Sequence, residues 1–255
     1  GTHDTKQAAE NGLDMEFGSW TDGLSWGASN AYDNYYLAAP YLDMLRKGEA
    51  STATLDDKAR RVLRLIFRTA MNTRKPFGSL NSPEHLAAAR RIAGEGMVLL
   101  KNEGALLPLA AGTKVAVIGD FAKNPRYQGA GSSMVNSTQV DVLLDQLIDS
   151  ELNVIGYQQG FDRHGKPDAA LQKSACELAA QANTVILCMG LDEIAESEGL
   201  DRSNLRLAQN QVDLLQAVAA VNPKIVVVLY SGSVVETPWL DNCQALLYAA
   251  LGGQA

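Results

Sequence analysis

The chain has 255 residues, about 1.7 domains at a typical ~150 residues each, so it is too long for one average domain and short for two. Hydrophobic residues make up 46% and charged residues 20%, which excludes disorder and fits a globular α/β protein. With 29 acidic and 22 basic residues the net charge is −7, which argues against broad binding of nucleic acid or an anionic membrane. The longest apolar runs, Ile225–Tyr230 and Ala245–Leu251, fall far short of the ~20 residues of a membrane span. Cys176, Cys188 and Cys243 show no C-x-x-C spacing, and the three histidines are scattered. Neither a disulfide framework nor a metal site is expected.

The first seventy residues read as helical. Thr5–Asn11 is a short helix ended by Gly12, Leu13–Phe17 a candidate short strand, and Gly18–Asn30 a loop rich in Gly, Ser and Trp. Tyr32, Tyr35, Tyr36, Ala39, Leu42 and Leu45 fall at helical spacing on one buried stripe, which Pro40 should kink or split. After Ser51 a strong helix runs to about Met71. Its apolar face is Ala59, Val62, Leu63, Ile66 and Ala70, and its basic face (Lys58, Arg60, Arg61, Arg64, Arg68) reads as solvated or ion-paired.

Asn72–Pro83 is the best linker. Ser82-Pro83-Glu84 opens the next helix with an N-cap, a first-turn proline and an acidic residue at the positive end of the dipole. Val98-Leu99-Leu100 and a turn at Asn102–Gly104 follow. Beyond Gly112 strand and helix alternate: Val115–Gly119 strand, Val140–Leu152 helix, Val154-Ile155 strand, Asp168–Asn183 helix, Thr184–Met189 strand. Leu207–Val221 helix, Ile225–Tyr230 strand, a helical turn over Val234–Asn242 and an Ala245–Ala250 strand complete the series. That alternation predicts right-handed crossovers and a mostly parallel sheet covered on both faces.

In such sheets ligands bind where the strands end. Three loops qualify: Asp120–Ser133, Gly190–Asp201 and Ser231-Gly232-Ser233. Gly129 and Gly131 suggest a phosphate cradle, but they lie ten or more residues past the strand and no G-x-x-x-x-G-K-[ST] occurs, so the nucleotide reading is weak. The second loop places Asp192, Glu193, Glu196, Glu198 and Asp201 within ten residues, beside Arg202. A solvated acidic loop is the plain reading. The other is a crowded carboxyl set in which one pKa is raised to serve as general acid while Arg202 holds another ionised.

Several segments resemble glycoside hydrolase family 3, the β-glucosidase type, in family order. They are His3-Asp4, Gly12-Leu13-Asp14-Met15-Glu16, Arg60-Arg61-Val62-Leu63-Arg64 and Val98-Leu99-Leu100-Lys101-Asn102-Glu103 with Leu106-Leu107-Pro108-Leu109. Tyr127-Gln128-Gly129-Ala130-Gly131-Ser132-Ser133 and Glu196-Ser197-Glu198-Gly199-Leu200-Asp201-Arg202 complete the set. The resemblance implies an α/β chain: the C-terminal part of a (β/α)8-like barrel over 1–71, a linker and lead-in helix and strand over 72–113, and an incomplete α/β sandwich over 114–255. It implies a retaining, exo-acting β-glycosidase that removes terminal β-D-glucosyl residues with an aspartate nucleophile and a glutamate acid/base.

Carried onto this chain, Glu198 is the expected acid/base, with Glu196 the runner-up. Gly129, Gly131, Ser132, Ser133, Asp14, Glu16, Asp201 and Arg202 are the expected substrate-binding residues. No cofactor is implied, and the partner is a β-linked glucoside or oligosaccharide, not nucleic acid or membrane. The oligomeric state is open; relatives of this type are often periplasmic or secreted. The family nucleophile sits in a Ser-Asp-Trp-Gly-type segment that would fall before Gly1, so the 255 residues alone are expected to be inactive. The alternatives are a non-catalytic carbohydrate-binding module and a β-xylosidase or N-acetylglucosaminidase of the same family.

Overall fold

A computed structural model describes residues 3–17, 35–74 and 78–254. The chain divides into two compact units, Gly1–Gly78 and Ser79–Ala255.

Among its described residues the first unit holds three helices: α1 (Thr5–Glu10), α2 (Ala39–Arg46) and α3 (Thr52–Arg68). Asp4 caps α1 by accepting from the Gln7 amide, and Ser51 caps α3 by accepting from Ala53. Leu13–Phe17 is coil rather than strand. Pro40 does not split a helix; it lies in the first turn of α2, where its missing N–H costs no bond. The loop expected at Gly18–Asn30, and Tyr32, lie outside the described residues. The apolar stripe of α3 is not a buried face: Leu63 and Ile66 are exposed, as are Leu65 and Phe67, with no element of this unit covering them among the described residues. The buried residue of α3 is Lys58, whose Nζ donates to the Leu13 carbonyl at 2.7 Å.

The second unit opens with α4 (Pro83–Gly96), capped by Ser82 as its sequence predicts. Six strands then form one sheet: β1 (Val98–Asn102), β2 (Lys114–Ile118), β3 (Asn153–Gln158), β4 (Thr184–Gly190), β5 (Ile225–Tyr230) and β6 (Ala245–Tyr248). Their order is β1-β6-β5-β4-β2-β3. All neighbouring pairs are parallel except β1 with β6. The inner strands β2, β4 and β5 are almost wholly buried, which is why they read as unbroken Val/Ile/Leu runs without polar alternation.

The connecting helices are α5 (Leu143–Ile148), α6 (Ala169–Ala179) and α7 (Gln209–Val221). The α5 helix is shorter than Val140–Leu152, and Val234–Asn242 is coil with one tight turn at Leu240–Asn242. Asp168 caps α6, its Oδ1 accepting from Ala170 and Leu171. The buried Asn222 ends α7 and donates to the Ala179 and Ala182 carbonyls, tying α7 to the end of α6. The core is formed by the inner strands with Phe121, Phe161, Leu214, Leu215 and Trp239.

Candidate functional site

Because β5, β4 and β2 are adjacent and parallel, the loops that follow them leave the same edge of the sheet side by side. The crevice lies there. At the root of the middle loop, the α7 side chain of Gln211 is buried and bonds both ways with Gly190, accepting from its N–H and donating to its C=O at 2.9 Å each. Neither group could reach water, so this pairing fixes where the loop departs.

Four carboxylates of the loop, Asp192, Glu193, Glu196 and Glu198, then each have their own partner. Asp192 closes a local turn by accepting from the Ala195 amide and lies 3.1 Å from Nδ1 of His164. Glu193 receives a two-pronged contact from Arg163, at 3.1 Å from Nε and 2.6 Å from Nη2. Arg163 also bonds Asp120 and the Asn124 carbonyl, and its guanidinium stacks 4.5 Å from the Phe121 ring. Glu196 accepts from the Gly232 amide at 2.9 Å and from Ser233 Oγ at 2.6 Å. The buried Arg126 stands 3.4 Å away, and only 9% of the Glu196 side chain is exposed. Ser197 pairs with Ala130 in a single parallel bridge.

Glu198 is exposed, and its Oε2 accepts from the amide of Ser132 at 2.8 Å and from its hydroxyl. The Ser132 hydroxyl and amide hold the Glu198 carboxyl below its ordinary range. For Glu193, burial pushes the carboxyl up, but the Arg163 bond and charge outweigh it and the net direction is down. The crowding expected to raise a pKa in this loop is therefore corrected for these two residues: the carboxylates are distributed onto separate donors instead of repelling one another. Among the described residues Arg202 holds no carboxylate. Its Nη2 donates to the Val234 carbonyl at 2.8 Å.

Gly129, Ser133, Glu196, Glu198, Asp201 and Arg202 all line one open cavity of about 520 Å3, together with Arg126, Gly232 and Leu251. That volume suits a small polar ligand. Gly131 and Ser132 sit directly against Glu198: a Cβ on Gly131 would lie 2.6 Å from that of Glu198, and the backbone there has φ +94°. Asp14 and Glu16 belong to the first unit, and both carboxylates are bonded within it. Asp14 takes Arg61 Nε on both oxygens at 2.9 and 2.8 Å, which lowers its carboxyl, and Glu16 accepts from the Leu37 amide at 2.8 Å.

Sequence reasoning missed Arg126, Arg163 and Gln211. Arg163 and Gln211 carried no signal beyond their charge or polarity inside otherwise ordinary stretches. Arg126 stands just before Tyr127-Gln128-Gly129, where a basic residue beside a site loop could have been singled out.

The family model of the glycosyl hydrolase family 3 C-terminal domain matches residues 97–255. The β-glucosidase BoGH3A of Bacteroides ovatus is 39% identical over 99% of this chain and 37% of its own length. The thermostable β-glucosidase B of Acetivibrio thermocellus is 37% identical over 84% of this chain and 29% of its own. The crystal structure of a family 3 β-glucosidase from Bifidobacterium adolescentis superposes with a TM-score of 0.77 at 40% identity, across 86% of this chain and 32% of that one. The chain spans about a third of the length of the relatives it matches.

Proposed function

The chain belongs to glycosyl hydrolase family 3, and from that premise we propose that its loop cluster supplies the acid/base half of a retaining β-glycosidase, with Glu198 as the residue that moves the proton. The observation that carries this reading is the contrast between two neighbouring carboxylates. Glu196 is nearly buried and engaged by Gly232, Ser233 and Arg126, whereas Glu198 is exposed at the cavity with bonds to one oxygen. A group that must give up and take back a proton needs an oxygen free of other bonds; among the described residues Glu198 has one and Glu196 does not.

In the proposed reaction Glu198, protonated, donates to the leaving oxygen as a second carboxylate attacks the anomeric carbon. Once the leaving group has gone, Glu198 accepts a proton from the water that releases the sugar. The attacking carboxylate is an aspartate in a Ser-Asp-Trp-Gly-type segment. No aspartate of residues 1–255 stands in such a segment, so these residues alone carry one member of the pair and are inactive. The first unit supplies the end of the barrel that holds the other member. The β-glucosidase names of the relatives support a terminal β-D-glucosyl group as substrate.

The test is to join the chain to a family 3 barrel and assay aryl β-glucosides. Glu198→Ala should lose about 10²–10⁴-fold in turnover of a substrate with a poor leaving group, and azide should restore turnover of an activated one. Glu196→Ala should not be restored by azide. Unchanged turnover in Glu198→Ala overturns the assignment.

A further inference from the structure

The two oxygens of Glu198 are not equivalent. Oε2 receives both the amide N–H of Ser132, at 2.8 Å, and its hydroxyl. Among the described residues no hydrogen bond reaches Oε1. The segment that brings Ser132 there is built to stay in place. Gln128 closes a ring across it, accepting from the Val135 amide at 3.0 Å and donating to the Val135 carbonyl at 3.1 Å, while Met134 N–H bonds the Gly131 carbonyl within the ring. The Glu198 amide in turn donates to the Ala130 carbonyl at 3.2 Å, beside the Ala130–Ser197 bridge. The backbone contact at Gly131 leaves no room for a side chain between the two loops. Ser132 therefore points its donors at a carboxylate rather than into the cavity, where sequence reading had placed it as a sugar ligand.

Taking Glu198 as the acid/base, we propose that Ser132 is its positioning residue: the serine amide and hydroxyl hold Oε2 and so make Oε1 the oxygen that carries the transferable proton. The proton leaves Oε1 for the glycosidic oxygen as the bond from that oxygen to the anomeric carbon breaks. The electron pair of the O–H bond stays on the carboxylate. Negative charge thus grows on Glu198 during the step, and both Ser132 bonds strengthen as it does, so they stabilise the transition state more than the ground state. The same bonds favour the ionised form at rest. The other charged groups around Glu198 are Glu196, Asp201 and Arg202 on its own loop and Arg126 on the neighbouring one. Glu196 and Arg126 face each other, and Arg202 is bonded to Val234, so Ser132 is the donor that acts on Glu198 directly.

The test uses the intact 255-residue chain and needs no activity. The titration of the Glu198 carboxyl carbon is followed by NMR in the wild type and in Ser132→Ala, Ser132→Thr and Ser133→Ala. The midpoint should rise in Ser132→Ala, return towards the wild-type value in Ser132→Thr, which restores the hydroxyl, and stay put in Ser133→Ala. A second measurement survives a misfolded variant: in the wild type the Ser132 amide proton should shift with the Glu198 titration, and that shift should vanish in Glu198→Gln. An unmoved midpoint in folded Ser132→Ala, or a Ser132 amide indifferent to Glu198, overturns the proposal. Failure of azide to rescue Glu198→Ala in the joined enzyme would overturn the acid/base reading instead and leave the titration result standing.

Discussion

Arg163 shows how single side chains hold this site together. It lies after β3 and bonds Asp120 after β2 and Glu193 after β4, with its plane against Phe121. The Asp120 side chain is only 8% exposed, so Arg163→Met leaves a buried carboxylate with the Asn124 side-chain amide but without its cation. The variant should lose about 3–5 kcal/mol of stability, read from urea melts. The acid dependence follows from the same group. The folded-state Glu193 carboxyl lies below its ordinary 4.5, so its stabilising contribution is complete above that pH and is lost as pH falls through the folded value. Midpoints measured from about pH 3 to 7 should show that acid-side decline in the wild type and a flatter one in Arg163→Met. At this scale the sequence was half legible. Glu198 stands in a recognisable Glu-Gly-Leu-Asp-Arg segment, but its donor Ser132 is 66 residues away and the Arg126 that faces Glu196 is 70 away. Those pairings arise from loops that become neighbours only through strand order, which no local pattern encodes.

Elements were more legible than contacts. The inner strands were readable because burial on both faces leaves an unbroken apolar run, and Ser82 was readable as a helix cap from its side-chain chemistry, whereas the caps at Ser51 and Asp168 emerged only in the structure. Asp168 satisfies two amides of α6 at 2.9 and 3.0 Å, so Asp168→Ala should cost about 1 kcal/mol, measured by thermal or urea unfolding. The misread elements share a cause. Leu13–Phe17 alternates like a strand, yet its backbone serves a different end, since the Leu13 carbonyl takes Lys58 and the Asp14 side chain takes Arg61. The stripe on α3 has helical period without a covering surface among the described residues of its own unit, and periodicity reports a preference for burial rather than its fulfilment.

For the whole molecule, burial is distributed unevenly. Every residue of the main core lies after position 79, whereas the described part of the first unit buries Ala9, Tyr41 and Lys58. A chain of residues 79–255 should therefore fold by itself, with a cooperative urea transition and helix and strand signals in far-ultraviolet circular dichroism. Residues 1–78 alone should show no cooperative transition, because the set buried among their described residues is too small to offset the entropy of ordering the chain. The alternation of strands and helices announced the α/β sandwich, but it did not announce that β1 would be antiparallel and joined to the last strand. That closure, Val98 against Tyr248 and Asn102 against Ala245, has a consequence for synthesis. As the nascent chain leaves the ribosome, Val98 and Leu99 emerge long before β6, the strand they pair with among the described residues. Until then they are an unpaired apolar edge in search of a partner, and a chain stopped before Ala245 would never provide one.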